Sequence, residues 1–273
     1  MLPNVVSLAY FVLYCQEATS KCFFGNSALA GRYLLTGDSK LVKIRPFKAP
    51  DPKPQVEPAL DQRQIVQAAL GLLDEVGFDG LTMRSLAKKL GIKAASLYWH
   101  VRSKQELLSL LAEEICAPMR EPDWTLPWRN RLDILGNEYR RVLLAHRDAA
   151  RVLASSGAPT GPNRLRLTEI VLRTLLDAGF GHKEAVYAGF MLNDYVVMFV
   201  SEETQYPNAE AESGSEDSSS SLRNWFEALP PNDYPSLVAL ADYLIDSDAD
   251  ERFRFGIEIL RNGLETHLAR LKV

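Results

Sequence analysis

Leu81-Thr82-Met83-Arg84-Ser85-Leu86-Ala87-Lys88-Lys89-Leu90-Gly91-Ile92-Lys93-Ala94-Ala95-Ser96-Leu97-Tyr98-Trp99-His100 is the stretch whose reading decides the fold. Apolar residues recur at helical spacing on both sides of Gly91, so the stretch reads as two short helices, about Thr82–Leu90 and Ala94–His100. Gly91 sits where the chain must turn sharply and where a positive φ costs glycine nothing. Leu86, Ala87, Leu90, Ile92 and Leu97 would pack the pair together, and Ala87 is small where the two helices approach closely. Lys88, Lys89, Lys93, Arg102 and Lys104 surround the unit, as neutralisation of a phosphate backbone requires. The pattern is a helix-turn-helix.

The helical reading extends in both directions. Upstream, Asp61 with Gln64 three residues on is a capping-box pattern, and Ile65, Ala68, Ala69, Leu72, Leu73 and Val76 form one apolar face that Gly77 closes. Before it, Pro46, Pro50, Pro52, Pro54 and Pro58 exclude a helix interior and mark a linker. Downstream, Ser103 with Glu106 predicts another capped helix, over 103–117, ended before Pro118. A long amphipathic segment follows Pro127, carrying Trp128, Leu132, Leu135, Tyr139, Val142 and Leu143. A short helix is expected near Asp148–Ala154, then a break at Gly157, Pro159, Gly161 and Pro162, then a helix over Leu165–Ala178 ended by Gly179. His182–Glu203 is apolar nearly all round, which demands burial on several sides. Residues 205–221 are acidic and serine-rich and read as a mobile loop. A modest helix near Ser236–Ile245 and a last one over Asp250–Leu271 complete an all-α chain, with no strand-period alternation and no internal repeat.

Length and charge agree with a head on a larger body. The chain has 273 residues, 47% of them hydrophobic, enough for a sizeable core. The net charge of −4 divides unevenly: residues 1–60 and 61–104 are each net basic, and residues 105–273 are strongly acidic. A basic front suits a polyanion; ordinary surface charge is the plainer reading. Three cysteines (Cys15, Cys22, Cys116) form no CxxC pair, which points to a reducing cytoplasm rather than a zinc site or a disulfide scaffold. The apolar first residues have no preceding Lys or Arg, and no run is long enough for a membrane span. Residues 1–57 are expected to be a disordered extension or linker, with translation beginning downstream, near Leu60. The basic run Lys40–Lys48 reads as solvated linker or as an arm tracking the minor groove.

Residues about 60–116 resemble the DNA-binding domain of the TetR (tetracycline repressor) family. The resemblance is plainest in Leu81-Thr82-x-Arg84-x-Leu86-Ala87-x-Lys89-Leu90-Gly91 and in Leu97-Tyr98-Trp99-His100-Val101-x-x-Lys104. It continues through His146-Arg147-Asp148-Ala149-Ala150-Arg151-Val152 and Phe255-Gly256-Ile257-Glu258 with Gly263-Leu264-Glu265, segments similar to the tetracycline-repressor type of C-terminal domain. The resemblance implies a three-helix DNA-binding unit over 58–104 and a ligand-binding and dimerisation domain over 118–273. The helix over 103–117 connects them. It also implies double-stranded operator DNA, a small-molecule effector and a second copy of the chain as partners, in the bacterial cytoplasm, with no membrane, cofactor or catalytic residue.

Carried over position by position, the resemblance places Thr82, Arg84, Lys93, Ala94, Ala95, Ser96, Tyr98 and His100 at the DNA. Lys104 becomes the lysine that clamps phosphate at a helix start, where free backbone N–H groups also favour an anion. Arg84 matches the arginine that reaches a guanine edge, a contact supplying about 1–3 kcal/mol of base discrimination. Ala94 and Ala95 offer only apolar contact, so specificity is expected to lean on Arg84, with Ser96, Tyr98 and Lys93. Tyr98 and Trp99 also have a core reading.

In the body the resemblance gives out. Leu153 stands where the family's metal-binding histidine would be, Leu135 and Tyr139 where an asparagine and a phenylalanine contact the drug, and Arg120 where another histidine would. Glu202 matches a glutamate near the metal, but with no imidazole partner it makes no site. The expectation is no metal and a mostly apolar effector lined by Leu135, Tyr139, Leu153, Met191 and Met198, with Asn193 or Asp194 orienting it. These residues have a plain core reading as well. An unpaired buried Asp194 would be costly, with Arg140 or Arg173 as alternative structural partners. An enzyme is disfavoured: His146 and Asp148 lack a nearby nucleophile, and no phosphate loop or metal motif appears. A small-molecule-sequestering protein and a ligand-dependent activator on the same fold stay open.

Overall fold

The computed structural model describes residues 60–205, 217–245 and 248–271. The extension over 1–57 and its Lys40–Lys48 run therefore lie outside the described residues, as do residues 58 and 59. Helices α1 (Gln62–Gly80), α2 (Met83–Lys89), α3 (Ala94–His100) and α4 (Lys104–Cys116) open the fold. They are followed by α5 (Trp128–Leu144), α6 (Ala149–Ser155), α7 (Pro162–Ala178) and α8 (His182–Gln205). The last are α9 (Asp217–Glu227), α10 (Pro235–Ala239), α11 (Ala241–Ile245) and α12 (Ala249–Leu271), and no strand occurs among the described residues.

Local chemistry explains the boundaries. Asp61 caps α1 with both halves of the capping box in place: its carboxylate accepts from the Gln64 N–H at 2.7 Å, and the Gln64 side chain accepts from the Asp61 N–H at 3.1 Å. Gly77, at φ 72, interrupts α1, so the regular helix ends where expected and one further turn carries the chain to Gly80. Thr82 caps α2 through the Ser85 N–H at 3.0 Å. The turn after α2 is a Schellman closure: the Gly91 N–H reaches the Lys88 carbonyl at 3.1 Å and the Ile92 N–H the Ala87 carbonyl at 3.0 Å. It needs Gly91 at φ 69.

Three expectations are corrected. Pro162 does not extend the break before α7. It occupies the first turn of α7, where its missing N–H would be unpaired anyway. Of the expected loop over 205–221, Gln205 ends α8 and residues 217–221 belong to α9, while 206–216 lie outside the described residues. The serine-rich composition hid α9, a helix not anticipated. The modest helix near Ser236–Ile245 is two short helices meeting at Leu240, whose φ is −112.

One continuous core runs from the head into the body. In the head, α1 packs on α2 and α4, and α2 on α3. In the body, α8 packs against α5, α6 and α7, while α12 lies on α5 and α8. Helix α4 is common to both, touching α1 on one side and α5, α6 and α7 on the other. Its Leu107, Leu111 and Ala112 are fully buried.

Candidate functional site

The head presents a small exposed surface on a rigid base. Leu86, Ala87 and Leu97 are buried, with α3 packed on α2 and α2 on α1. With Leu97 turned inward, Lys93, Ala94, Ala95, Ser96, Tyr98, Trp99 and His100 are all exposed, as are Thr82 and Arg84. The expected contact residues thus all lie at the surface of the head. Arg84, Lys88, Lys93 and Arg102 form no ion pair with other described residues, so their charge faces outward. The Thr82 hydroxyl accepts from the Ser85 backbone N–H, and the two side-chain hydroxyls lie 2.9 Å apart, so Thr82 serves first as the cap that sets the start of α2. Trp99 is 88% exposed, the most exposed large apolar side chain among the described residues. Its core reading is therefore wrong, because at helical spacing it sits two positions from the buried Leu97, on the far side of α3. Lys104 is half-buried, with its ammonium 4.8 Å from the centre of the Phe78 ring.

The end of α1 and the turn between α5 and α6 form a dense polar joint. Asp148 precedes α6 in the left-handed conformation, φ 56, the sole non-glycine at positive φ among the described residues. It is held there because its carboxylate accepts from the Phe78 N–H at 2.8 Å. Asp74 of α1 accepts from the Arg147 N–H at 3.0 Å and lies 3.1 Å from His146 Nδ1. Arg151 of α6 grips Asp79 with both terminal nitrogens, at 3.0 and 3.1 Å, which holds that carboxyl below the usual range. The ends of α4 are tied as well. Gln105 donates to the Ser155 carbonyl at 2.8 Å, and Glu113 accepts from the Asn163 and Arg164 N–H groups at the start of α7. In the sequence the segment His146–Val152 shows a helix start and the family resemblance, but its partners lie far away in the chain and leave no local signal.

An exposed short helix, α3, flanked by unpaired basic residues on a capped helical base, is the arrangement shared with a known family of regulators. Residues 65–111 match the family "Bacterial regulatory proteins, tetR family", and residues 121–268 match "Tetracyclin repressor-like, C-terminal domain". The class D tetracycline repressor of Escherichia coli is 34% identical over 218 residues, which is 78% of this chain and 92% of that protein. Among solved structures, ActR of Streptomyces coelicolor in complex with actinorhodin superposes with a TM-score of 0.68 at 33% identity, covering 77% of this chain and 97% of that one. BioQ bound to its double-stranded DNA operator gives a TM-score of 0.55 at 26% identity over 75% of this chain and 98% of that one.

The chain belongs to the TetR family.

It is accordingly a ligand-responsive, DNA-binding transcriptional repressor and not an enzyme. Within this TetR body the expected effector residues separate into two groups. Leu135, Tyr139 and Leu153 are buried. Met191 is 56% and Met198 66% exposed, and Asp194 is exposed too. The reason is helical phase. Helix α8 buries Ala188, Leu192, Val196, Val197 and Val200, which leaves 191, 194 and 198 on the outer face together with Tyr187. Asp194 is therefore no buried carboxylate, and neither arginine serves it. Arg140 pairs with Glu203 at 2.5 Å and Asp250 at 2.7 Å, and Arg173 stands 4.0 Å from Asp177. A polar chain nevertheless joins the two groups: the Tyr139 hydroxyl donates to Asn193 at 3.1 Å, and the Asn193 amide donates to Asp194 at 3.1 Å.

The positions that the resemblance assigns to the metal and to the drug are filled by residues with other roles. Leu153 is apolar, and Glu202 is paired with Arg252 at 2.7 Å. Arg120 makes a bidentate pair with Glu138, through Nε at 2.7 Å and a terminal nitrogen at 2.8 Å. Arg141 adds two further bonds to the same carboxylate, and Glu138 is held well below the usual carboxyl range, by Arg120 first and Arg141 second. Cys116 is buried, and desolvation pushes its thiol up to about 11. An open cleft of about 520 Å³ lies between the end of α8 and the start of α12, lined by Tyr195, Met198, Phe199, Glu202 and Arg252 among others.

Proposed function

We propose that the chain is a cytoplasmic homodimer that represses from a palindromic operator and is released by a mostly apolar small molecule. The exposed face of α3 with Arg84 carries the DNA half of this reading. Arg84 and Lys93 supply charge and base contact, and Ser96, Tyr98 and His100 read edges or steady the helix. Ala94 and Ala95 favour a thymine methyl, and Lys104 holds a phosphate with the free N–H groups of α4. Residues 58–104 act as the DNA-binding unit and residues from 118 onward as the regulatory body, with α4 between them.

The dimer reading is supported by an apolar stripe that one chain leaves uncovered. On α8 it comprises Tyr187 (56% exposed), Met191 and Met198; on α12, Phe255 (65%) and Ile259 (56%). The spacings of four and seven residues put each set on one face, and α8 and α12 already pack together, so two copies would form a four-helix bundle. Met191 and Met198 belong to that bundle in this reading. The effector site keeps Leu135 and Leu153 as apolar wall, with the Tyr139–Asn193–Asp194 chain as its polar anchor. That ActR is solved with actinorhodin, and a TetR variant from Acinetobacter baumannii with minocycline, supports a bound small molecule in this body. Gel-shift titration against the DNA flanking its own gene tests the reading. Binding released by a small molecule is expected. Tight uptake of a small molecule with no DNA binding would support sequestration instead.

A further inference from the structure

Between the head and the body two cations lie against one aromatic ring, and the charge of both acts on one carboxylate. Phe78 lies beyond the Gly77 kink of α1, its N–H fixed by Asp148 at 2.8 Å. The Lys104 ammonium at the start of α4 sits 4.8 Å from the ring centre, and the Arg151 guanidinium of α6 sits 4.6 Å from it. Asp79, the residue after Phe78, receives both terminal nitrogens of Arg151. Its side chain is 82% exposed, so no burial locks the pair together. Lys104 is close enough that its charge also acts on the Asp79 carboxyl, after the larger influence of Arg151. Arg151 has a second, longer pairing with Asp148 at 3.9 Å.

We propose that Arg151 is a positioning residue for DNA binding: by holding Asp79 it keeps that carboxylate away from Lys104, leaving the Lys104 ammonium for phosphate. A displacement of α6 that withdraws Arg151 hands Asp79 to Lys104, and the phosphate contact is lost without any change in the recognition helix. This rests on the reading of Lys104 as a phosphate ligand. The body then controls the head through charge as well as through the spacing of two heads. Exposed pairs of this kind shift an equilibrium by a factor of about two to five. On DNA the clearer signature is the salt dependence, where each phosphate contact contributes about 0.9 to the slope of log affinity against log salt.

The test uses the full chain and a mixed-sequence duplex at low salt, with affinity followed by fluorescence anisotropy across a salt series. Lys104→Ala is expected to lower the slope by about one for each head in contact; an unchanged slope would refute the phosphate reading itself. Given that reading, Arg151→Met is expected to lower the slope in the same direction and weaken binding about two- to fivefold. Asp79→Asn added to Arg151→Met should restore the slope, and Arg151→Lys should keep it. Arg151→Met combined with Lys104→Ala should lose no more than Lys104→Ala alone. A slope left unchanged by Arg151→Met, or a loss that Asp79→Asn fails to rescue, would overturn the proposal. Urea midpoints of each variant show that the effect is not unfolding, because lost packing would not be repaired by removing a carboxylate.

Discussion

Replacing Asp148 separates the two things this residue does at the joint. It accepts a charge-assisted hydrogen bond from the Phe78 N–H at 2.8 Å, with its side chain only 16% exposed, and it holds the left-handed conformation at φ 56. A hydrogen bond to a charged group contributes about 1.5–3 kcal/mol, at the lower end for a site that water can still reach. The left-handed conformation costs a residue with an ordinary Cβ about 1–2 kcal/mol, whereas glycine adopts it freely and asparagine tolerates it. The ion pairs to Arg147 and Arg151, at 4.0 and 3.9 Å, add little at that distance. Asp148→Asn should therefore cost about 1 kcal/mol or less, keeping an acceptor and the backbone preference. Asp148→Gly should cost about 1.5–2 kcal/mol, losing the bond alone, and Asp148→Ala about 2.5–4 kcal/mol, losing the bond and straining the backbone. Urea unfolding with a common slope measures all three. If Asp148→Gly matches the parent protein, the bond to Phe78 carries nothing. If Asp148→Ala is no worse than Asp148→Gly, the backbone argument fails.

Three further outcomes follow from other parts of the structure. Glu138 is held below its unfolded value by Arg120 and Arg141, so its stabilisation is full above the ordinary carboxyl range and disappears as pH falls through the depressed folded value. Unfolding free energy measured from neutral pH into acid should fall less in Glu138→Gln, which starts about 2–4 kcal/mol lower at neutral pH; parallel curves would contradict this. A Cβ at Gly136 would stand 2.7 Å from Ile257 Cδ1, so Gly136→Val should part α5 from α12 and cost about 1–3 kcal/mol in a thermal melt, whereas an unchanged Tm would show that the contact yields. Trp99, exposed on α3, should supply an iodide-quenchable fluorescence that DNA protects and that Trp99→Phe removes. Equal protection in the Trp99→Phe protein would place the signal elsewhere.

The head was legible in the sequence because its determinants are local. The caps at Asp61 and Ser103, the positive-φ glycine at 91 and the buried Leu97 lie within a few residues of what they control. The body was less legible because its determinants are not. The apolar composition of α8 shows that several sides are covered but not which face meets its own core, so Met191 and Met198 were grouped with Leu135, although the fold turns them outward. The partners of Arg151 and Asp148 lie more than 65 residues away in α1, and nothing beside them in the chain announces the joint. Pro162 reads as a helix breaker from composition, yet it is a helix starter once Gly161 has turned the chain.

The most direct test is selection of duplexes from a randomised library by the full-length protein, followed by sequencing of those retained. Two α3 helices held by an α8–α12 dimer require a two-fold symmetric motif whose half-sites are centred about 10–10.5 base pairs apart or a multiple of that spacing. Arg84→Ala should keep that spacing while losing preference at the base pair it reads. A single asymmetric half-site, or no enriched motif at all, would contradict a dimeric repressor reading DNA through α3.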